Sequence, residues 1–183
     1  GAKISTTKSA FGGASGYFDG VDDRIVIQDN GIALPGDFYI GFFSGNLTLN
    51  GETNRNALSF FENSTDASAN GLQIRVVNGT YTVNLYDDAG TNTEIVGSVG
   101  VSVPISRDFE WVSVYRSGST VYLYTNGSLA GSATFTATLI PKNITVGAPY
   151  TPVVRDWNGY IDELVIANRV LLSGTTIPTV PFK

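Results

Sequence analysis

The side chains able to do chemistry in this chain are carboxylates and phenolic rings, because the sequence contains no His and no Cys. Lacking His removes the usual general base near neutral pH and the commonest transition-metal ligand; lacking Cys removes thiol nucleophiles, thiolate metal sites and disulfides. Oxygen chemistry is what is left. Asp19, Asp22 and Asp23 crowd around Gly20, and Asp162 stands far along the chain. A hard cation such as Ca²⁺, which takes about six to eight oxygens from carboxylates and turn carbonyls, is the metal such a set could hold. The same residues have a plainer use. Asp19 and Asp22 can hydrogen-bond their own turn and Asp162 can satisfy loop N–H groups, and no EF-hand spacing decides between the two.

The second set is aromatic: Tyr115, Tyr122 and Tyr124, joined by Trp157, with Tyr81 and Tyr86 as further members. The C–H face of a pyranose stacks on such rings while neighbouring hydroxyls meet its polar edge, so these residues are a candidate saccharide platform. Tyrosine is also an ordinary filler of half-buried strands. Rival binding positions are the polar loops at 44–56, 63–70 and 149–156, since a rigid scaffold commonly presents its contacts on loops.

The elements that must position these groups read as strands. Residues 110–134 form three of them, joined by Gly118-Ser119 and Asn126-Gly127, two-residue loops suited to the primed turns whose twist matches paired strands. Those loops set the register: Tyr115 opposite Tyr122, Val114 opposite Leu123, Val112 opposite Thr125, Tyr124 opposite Leu129 and Leu123 opposite Ala130. Val112, Val114, Val121 and Leu123 then share a core face. Trp111, Ser113, Tyr115, Tyr122 and Tyr124 share the other. Elsewhere, 16–19 and 24–27 read as a hairpin about the Gly20 to Asp23 turn, 38–43 as a central strand, 47–49 as a short strand and 57–62 as the next. A hairpin at 72–87 turns at Asn78-Gly79; strand material follows at 93–103 and 144–146. The last long strand is 157–168, in which Tyr160, Asp162, Leu164 and Ile166 alternate with Ile161, Glu163, Val165 and Ala167. No 3.6-residue period with caps occurs. Short strands at a spacing of about ten residues predict an all-β, antiparallel two-sheet sandwich.

Composition narrows the partners. At 183 residues with 42% hydrophobic content the chain can bury one sizeable core, while a net charge of −5 argues against gripping nucleic acid or an anionic membrane. Residues 117–141 carry no charge, yet their Ser, Thr, Gly and Asn content is unsuited to hydrocarbon, so neither a membrane span nor a signal peptide is expected. The absence of Met, even at position 1, reads as a piece cut from a longer chain. Asn-x-Ser/Thr triplets at Asn46, Asn63, Asn78, Asn126 and Asn143 are too weak a motif to imply glycosylation.

A family resemblance rests on motifs in order: Gly16-Tyr17-Phe18-Asp19-Gly20 with Asp23 and the Arg24 strand, Trp111 heading its strand, Val121-Tyr122-Leu123-Tyr124-Thr125-Asn126-Gly127, Ile144-Thr145-Val146-Gly147, and Asn158-Gly159-Tyr160-Ile161-Asp162-Glu163-Leu164. Together they resemble laminin G-like domains of the concanavalin A-like lectin and glucanase superfamily. The resemblance implies a jelly-roll sandwich over 16–172, with an arm at 1–15 and a tail at 173–183, one concave sheet, and binding of glycans or proteins at that face or on the rim loops. In laminarinase-type relatives a Ca²⁺ commonly sits where the N-terminal segment meets an Asp matching Asp162, which implies Asp19 and Asp162 as its ligands if the first and last strands lie side by side with the Asp19-Gly20 turn opposite. Relatives on bacteriophage fibres and bacterial surface proteins imply a virion-surface or extracellular setting. A host glycan or surface protein and other virion subunits are then the implied partners, with homo-oligomerisation through the parent protein. Catalysis is not implied. The Glu, Asp, Glu alternation of the glucanases is missing, Asp108 and Glu110 supply only two carboxylates, and Gln73-Ile74-Arg75 lacks the His of the Gln-Ile-His strand in alginate lyases. The expected function is a non-catalytic lectin-like module. A structural assembly domain is the alternative, and a polysaccharide-cleaving enzyme a lesser one.

Overall fold

A computed structural model describes residues 1–28, 31–48, 54–61, 70–97, 109–140, 143–149 and 155–182. The described chain contains no helix and builds two antiparallel sheets from β1 (Lys3–Ser5), β2 (Ser15–Asp19), β3 (Ile25–Gln28), β4 (Phe38–Gly45), β5 (Asn54–Phe61), β6 (Gly71–Val77), β7 (Thr80–Tyr86), β8 (Asn92–Val96), β9 (Glu110–Ser117), β10 (Thr120–Thr125), β11 (Ser128–Thr134), β12 (Asn143–Val146) and β13 (Asn158–Ala167). One sheet runs β1-β2-β13-β4-β9-β10-β11 and the other β3-β12-β5-β6-β7-β8. Because strand neighbours are far apart in sequence, this is a sandwich of jelly-roll type rather than a meander.

Between the sheets lies the main core. Val112, Val114, Val121 and Leu123 from one sheet and Leu58, Leu72, Ile74 and Val83 from the other are all fully buried. The expected pairings of Tyr115 with Tyr122, Val114 with Leu123 and Val112 with Thr125 are present, as is Tyr124 with Leu129. Leu123 faces Gly131, however, and not Ala130, because a bulge at Ala130 adds one residue to the edge strand β11. Nor do β2 and β3 form a hairpin: the Gly20 to Asp23 turn carries the chain from one sheet to the other. Leu47 and Thr48 lie outside any strand, and Leu49 and Glu62 lie outside the described residues.

Arg116 closes one end of the sandwich. It points inward opposite Val121, is 1% exposed, and donates to the carbonyls of Gly36, Ala137 and Leu34 at 2.5, 2.6 and 3.2 Å. A guanidinium whose donors meet fixed carbonyls offsets its loss of water by charge-assisted bonds.

The outer face of the seven-stranded sheet carries a second apolar layer. Tyr39, Phe43 and Trp111 are buried there under Ala10 and Phe11 of the N-terminal arm and under Val170, Leu171, Leu172 and Phe182 of the C-terminal segment. Both segments are tied to one irregularity. The alternation expected along 157–168 slips at Glu163, which takes φ 50° inside a bulge between Asp162 and Val165. The slip leaves two carboxylates on the outer face: Asp162 accepts from the N–H groups of Ala10 and Phe11 at 2.7 and 3.2 Å, and Glu163 accepts from Phe182 N–H at 2.9 Å. A strained backbone position therefore holds both ends of the chain on the sheet.

Candidate functional site

Trp157 does not join the tyrosine face. It is 0% exposed within the main core, because it precedes β13 on the inward side, where its N–H donates to Gly147 O at 2.6 Å. Tyr81 is likewise buried, at 1%. Tyr86 ends β7 in the other sheet, whereas Tyr115, Tyr122 and Tyr124 do come together. Tyr39, Tyr115 and Tyr122 sit opposite one another across β4, β9 and β10, and Tyr124 lies diagonal to Tyr115. Their ring planes run nearly parallel: 18° at 6.3 Å for Tyr39 and Tyr115, 27° at 5.2 Å for Tyr115 and Tyr122, and 19° at 5.8 Å for Tyr115 and Tyr124.

Ring stacking along a sheet has a consequence for ligands. Tyr115 has Tyr39 on one side and Tyr122 on the other, so it presents an edge and a hydroxyl rather than a face. Burial, reinforced by a hydrogen bond and charge interaction with Tyr124, pushes its phenol up to about 12. Tyr124 meets Gly174: a Cβ added there would fall 2.3 Å from the ring. Tyr122 ends the row. Its cross-strand neighbour on the edge strand is the exposed Ser132, and next to it the Tyr124 and Leu129 pair adds an aliphatic side chain 51% exposed. The accessible part of the aromatic face is thus Tyr122, the edge of Tyr124, Ser132 and Leu129. It could stack one sugar ring and hydrogen-bond its rim.

The carboxylates fall into two places. Asp19, Asp22 and Asp23 each bring one oxygen within 4.8 Å of the others. Asp162 lies elsewhere: Asp19 pairs with Asn158, and Asp162 is four residues further along β13, about 13 Å at the strand rise. Oxygens sharing one Ca²⁺ lie within about 5 Å of each other. Asp19 and Asp162 are therefore not brought together, and Asp162 serves the arm's N–H groups. Within the trio, Asp23 Oδ2 accepts from Asp19 N–H at 2.8 Å and Asp19 Oδ1 from Val21 N–H at 2.9 Å, while the amino group of Gly1 stands 2.9 Å from the fully buried Asp23 Oδ1. Three carboxylates around a Gly-containing turn are a donor set of the kind a hard cation takes, and the Gly1 ammonium already stands beside two of them, 3.7 Å from Asp22 Oδ1 as well. Strands β2 and β13 do lie side by side, but their register sets Asn158, and not Asp162, opposite Asp19.

Glu110 is 3% exposed beside Asn126, whose amide donates to it at 3.4 Å, and Asp108 lies outside the described residues. Of the rival loops at 44–56, 63–70 and 149–156, residues 49–53, 63–69 and 150–154 also lie outside them, while 44–45 and 54–56 belong to β4 and β5.

A family model described as Concanavalin A-like lectin/glucanases superfamily matches residues 42–175. No curated protein matches. Among solved structures, the chain is similar to mouse laminin alpha1 chain domains LG4-5, with TM-score 0.65 and 13% identity over 86% of this chain and 44% of that one. It is similar to the Ruminococcus gnavus IT-sialidase CBM40, with TM-score 0.61 and 15% identity over 82% and 92%. The binding domain of Paraclostridial Mosquitocidal Protein 1 gives TM-score 0.69 and 16% identity over 94% and 43%. The chain thus spans less than half of the laminin and mosquitocidal structures and nearly all of CBM40. Identities this low show a shared fold.

Proposed function

The chain belongs to the concanavalin A-like lectin/glucanases superfamily, and from that premise we propose that it is a non-catalytic, saccharide-binding module of a larger extracellular or virion-surface protein. The observation that carries this reading is the half-exposed end of the tyrosine row, where Tyr122, Tyr124, Ser132 and Leu129 combine a ring face, phenol and hydroxyl groups and an aliphatic neighbour on rigid strands. Such a patch gives a sugar its stacking surface and its hydrogen-bond partners with little to reorganise. The similar CBM40 structures include complexes with alpha2,3 and alpha2,6 sialyllactose, and a similar botulinum neurotoxin D binding domain is in complex with N-acetylneuraminic acid. These support a glycan as the ligand class here, with host-cell surface glycans as the setting. A glycan array tests it: binding that Tyr122→Ala and Tyr124→Ala abolish is expected, and binding unchanged in both variants would move the site to the loops. In this reading Ca²⁺, where bound, belongs to Asp19, Asp22 and Asp23 and fixes the turn between the sheets.

One observation favours a second reading, an assembly domain. Strand β3 is the edge of the six-stranded sheet, and its Ile25, Val26 and Ile27 are 45%, 44% and 39% exposed. Unpaired backbone groups beside apolar side chains make an edge prone to strand addition. Light scattering that shows an oligomer, dispersed by Val26→Lys, would support it.

A further inference from the structure

We infer that the C-terminal segment, residues 170–182, is a strap over a latent second saccharide subsite, which takes a neutral, hydroxyl-rich sugar ring beside Tyr124 once the strap lifts. The outer face is laid out in cross-strand rows. Tyr39, Tyr115 and Tyr122 form one, Gly41, Ser113 and Tyr124 the next, and Phe43 and Trp111 the third. Ser113 is thus the middle of the face, and its neighbour Tyr124 belongs to the exposed saccharide patch.

Three buried polar groups of this face are left over by the fold. Tyr39, Ser113 and Trp111 are each 0% exposed, and among the described residues the Tyr39 hydroxyl, Ser113 Oγ and Trp111 Nε1 have no hydrogen-bond partner. They are close to one another. Burial raises the Tyr39 phenol, and the Ser113 hydroxyl and the Trp111 N–H stand near enough to pull it back without reaching hydrogen-bond geometry. Buried Tyr O–H and Trp N–H groups ordinarily find partners, and an orphan is costly. Two hydroxyls that donate and accept and one N–H that donates, set among aromatic rings, match the polar rim and the C–H face of a pyranose.

What lies over them is lightly held. From 173 to 182 no residue joins a strand, and all but Gly174, Pro178 and Phe182 are exposed. Pro178 and Pro181 have no N–H to give. The strap touches the face where a ligand would: the Phe182 ring stacks on Trp111 at 5.9 Å, and Gly174 sits against the Tyr124 ring and hydrogen-bonds the Tyr115 hydroxyl through its backbone. Phe182 N–H donates to Glu163 at 2.9 Å. Exposed backbone with few buried contacts marks a segment that opens locally.

The subsite rests on the reading of the chain as a saccharide-binding module. Its test is an array of linear oligosaccharides, disaccharides through hexasaccharides, read with wild type and two strap variants. Phe182→Ala removes the ring over Trp111. Glu163→Asn withdraws the carboxylate from Phe182 N–H, keeps a residue type that accepts φ 50°, and carries the test if Phe182→Ala fails to fold. The variants should bind the longer oligosaccharides about tenfold or more tighter than wild type, because the cost of opening is removed, with disaccharide binding unchanged. In a Trp157→Phe background, the hexasaccharide should shift Trp111 emission in the variants and not with the strap intact. Ser113→Ala should take back about fivefold of the gain, the worth of one hydrogen bond, without lowering Tm, since the hydroxyl it deletes has no partner. Equal length profiles in wild type and Glu163→Asn, unshifted Trp111 emission in the variants, or a Tm lowered by Ser113→Ala overturns the subsite alone; array binding lost in Tyr122→Ala would still uphold the module. No binding of any oligosaccharide by any of these proteins overturns both.

Discussion

Gly41→Ala probes the clamp that decides which part of the outer face is open. Gly41 lies between Tyr39 and Phe43 on β4, and a Cβ placed there falls 2.4 and 2.6 Å from Cζ2 and Cη2 of Trp111 and 3.0 Å from Cε1 of Tyr39. Ordinary carbon contacts are about 3.5–4.0 Å, so the indole must retreat by roughly 1 Å. It has nowhere to go. Trp111 is fully buried, with Phe43 at 4.7 Å and Phe182 stacked at 5.9 Å. Gly41 has no positive φ, so alanine alone would favour the strand by about 0.5–1 kcal/mol, against an overpacking cost of about 1–3 kcal/mol. A net loss of about 2 kcal/mol is expected, toward the upper end because the blocked group is a caged indole. For a chain of this size that lowers Tm by about 4–8 °C. Thermal melts by circular dichroism measure it, and with only two Trp in the chain, emission in a Trp157→Phe background reports Trp111 alone. A Tm equal to wild type with unshifted emission would refute the reasoning. It would mean that arm and tail do not cover Trp111, and that the sheet's centre is open to ligand.

Trp157→Ala should cost about 3–5 kcal/mol in urea unfolding, while folded Trp157→Phe keeps saccharide binding; binding lost in a stable Trp157→Phe would restore it as a contact. Alkaline titration should show Tyr39, Tyr81 and Tyr115 ionising last, since burial raises all three phenols, Tyr115 to about 12. The neutral rings favour the fold, so the contribution of Tyr115 is present below the unfolded value of about 10 and is lost as pH climbs through about 12; nine tyrosines ionising together near pH 10 in the folded chain would contradict this. Added Ca²⁺ should raise Tm and EDTA reverse it, with no response in Asp22→Asn; an unresponsive wild type would retire the Asp19, Asp22 and Asp23 site.

Much of this fold is legible where turn chemistry is strong. Gly118-Ser119 and Asn126-Gly127 leave little choice of register, so the faces of β9 and β10 follow from counting. The Ala130 and Glu163 bulges are not legible, because an extra residue in a strand has no composition of its own, and each shifts everything beyond it by one. The cover over the outer face had a faint signal: Phe11, Leu171, Leu172 and Phe182 are apolar residues outside any strand. Trp157 was misplaced for a related reason. It lies before its strand begins, where alternation cannot assign a side. The seat of the arm depends on Asp162, a contact 152 residues apart in sequence.

The most direct measurement is an NMR titration with ring-labelled tyrosine, using whichever saccharide the array selects. Nine tyrosines give nine reporters. The account predicts that the ring signals of Tyr122 and Tyr124 shift and that those of Tyr39 and Tyr81 stay fixed. Binding that moves none of the tyrosines of the row would contradict it.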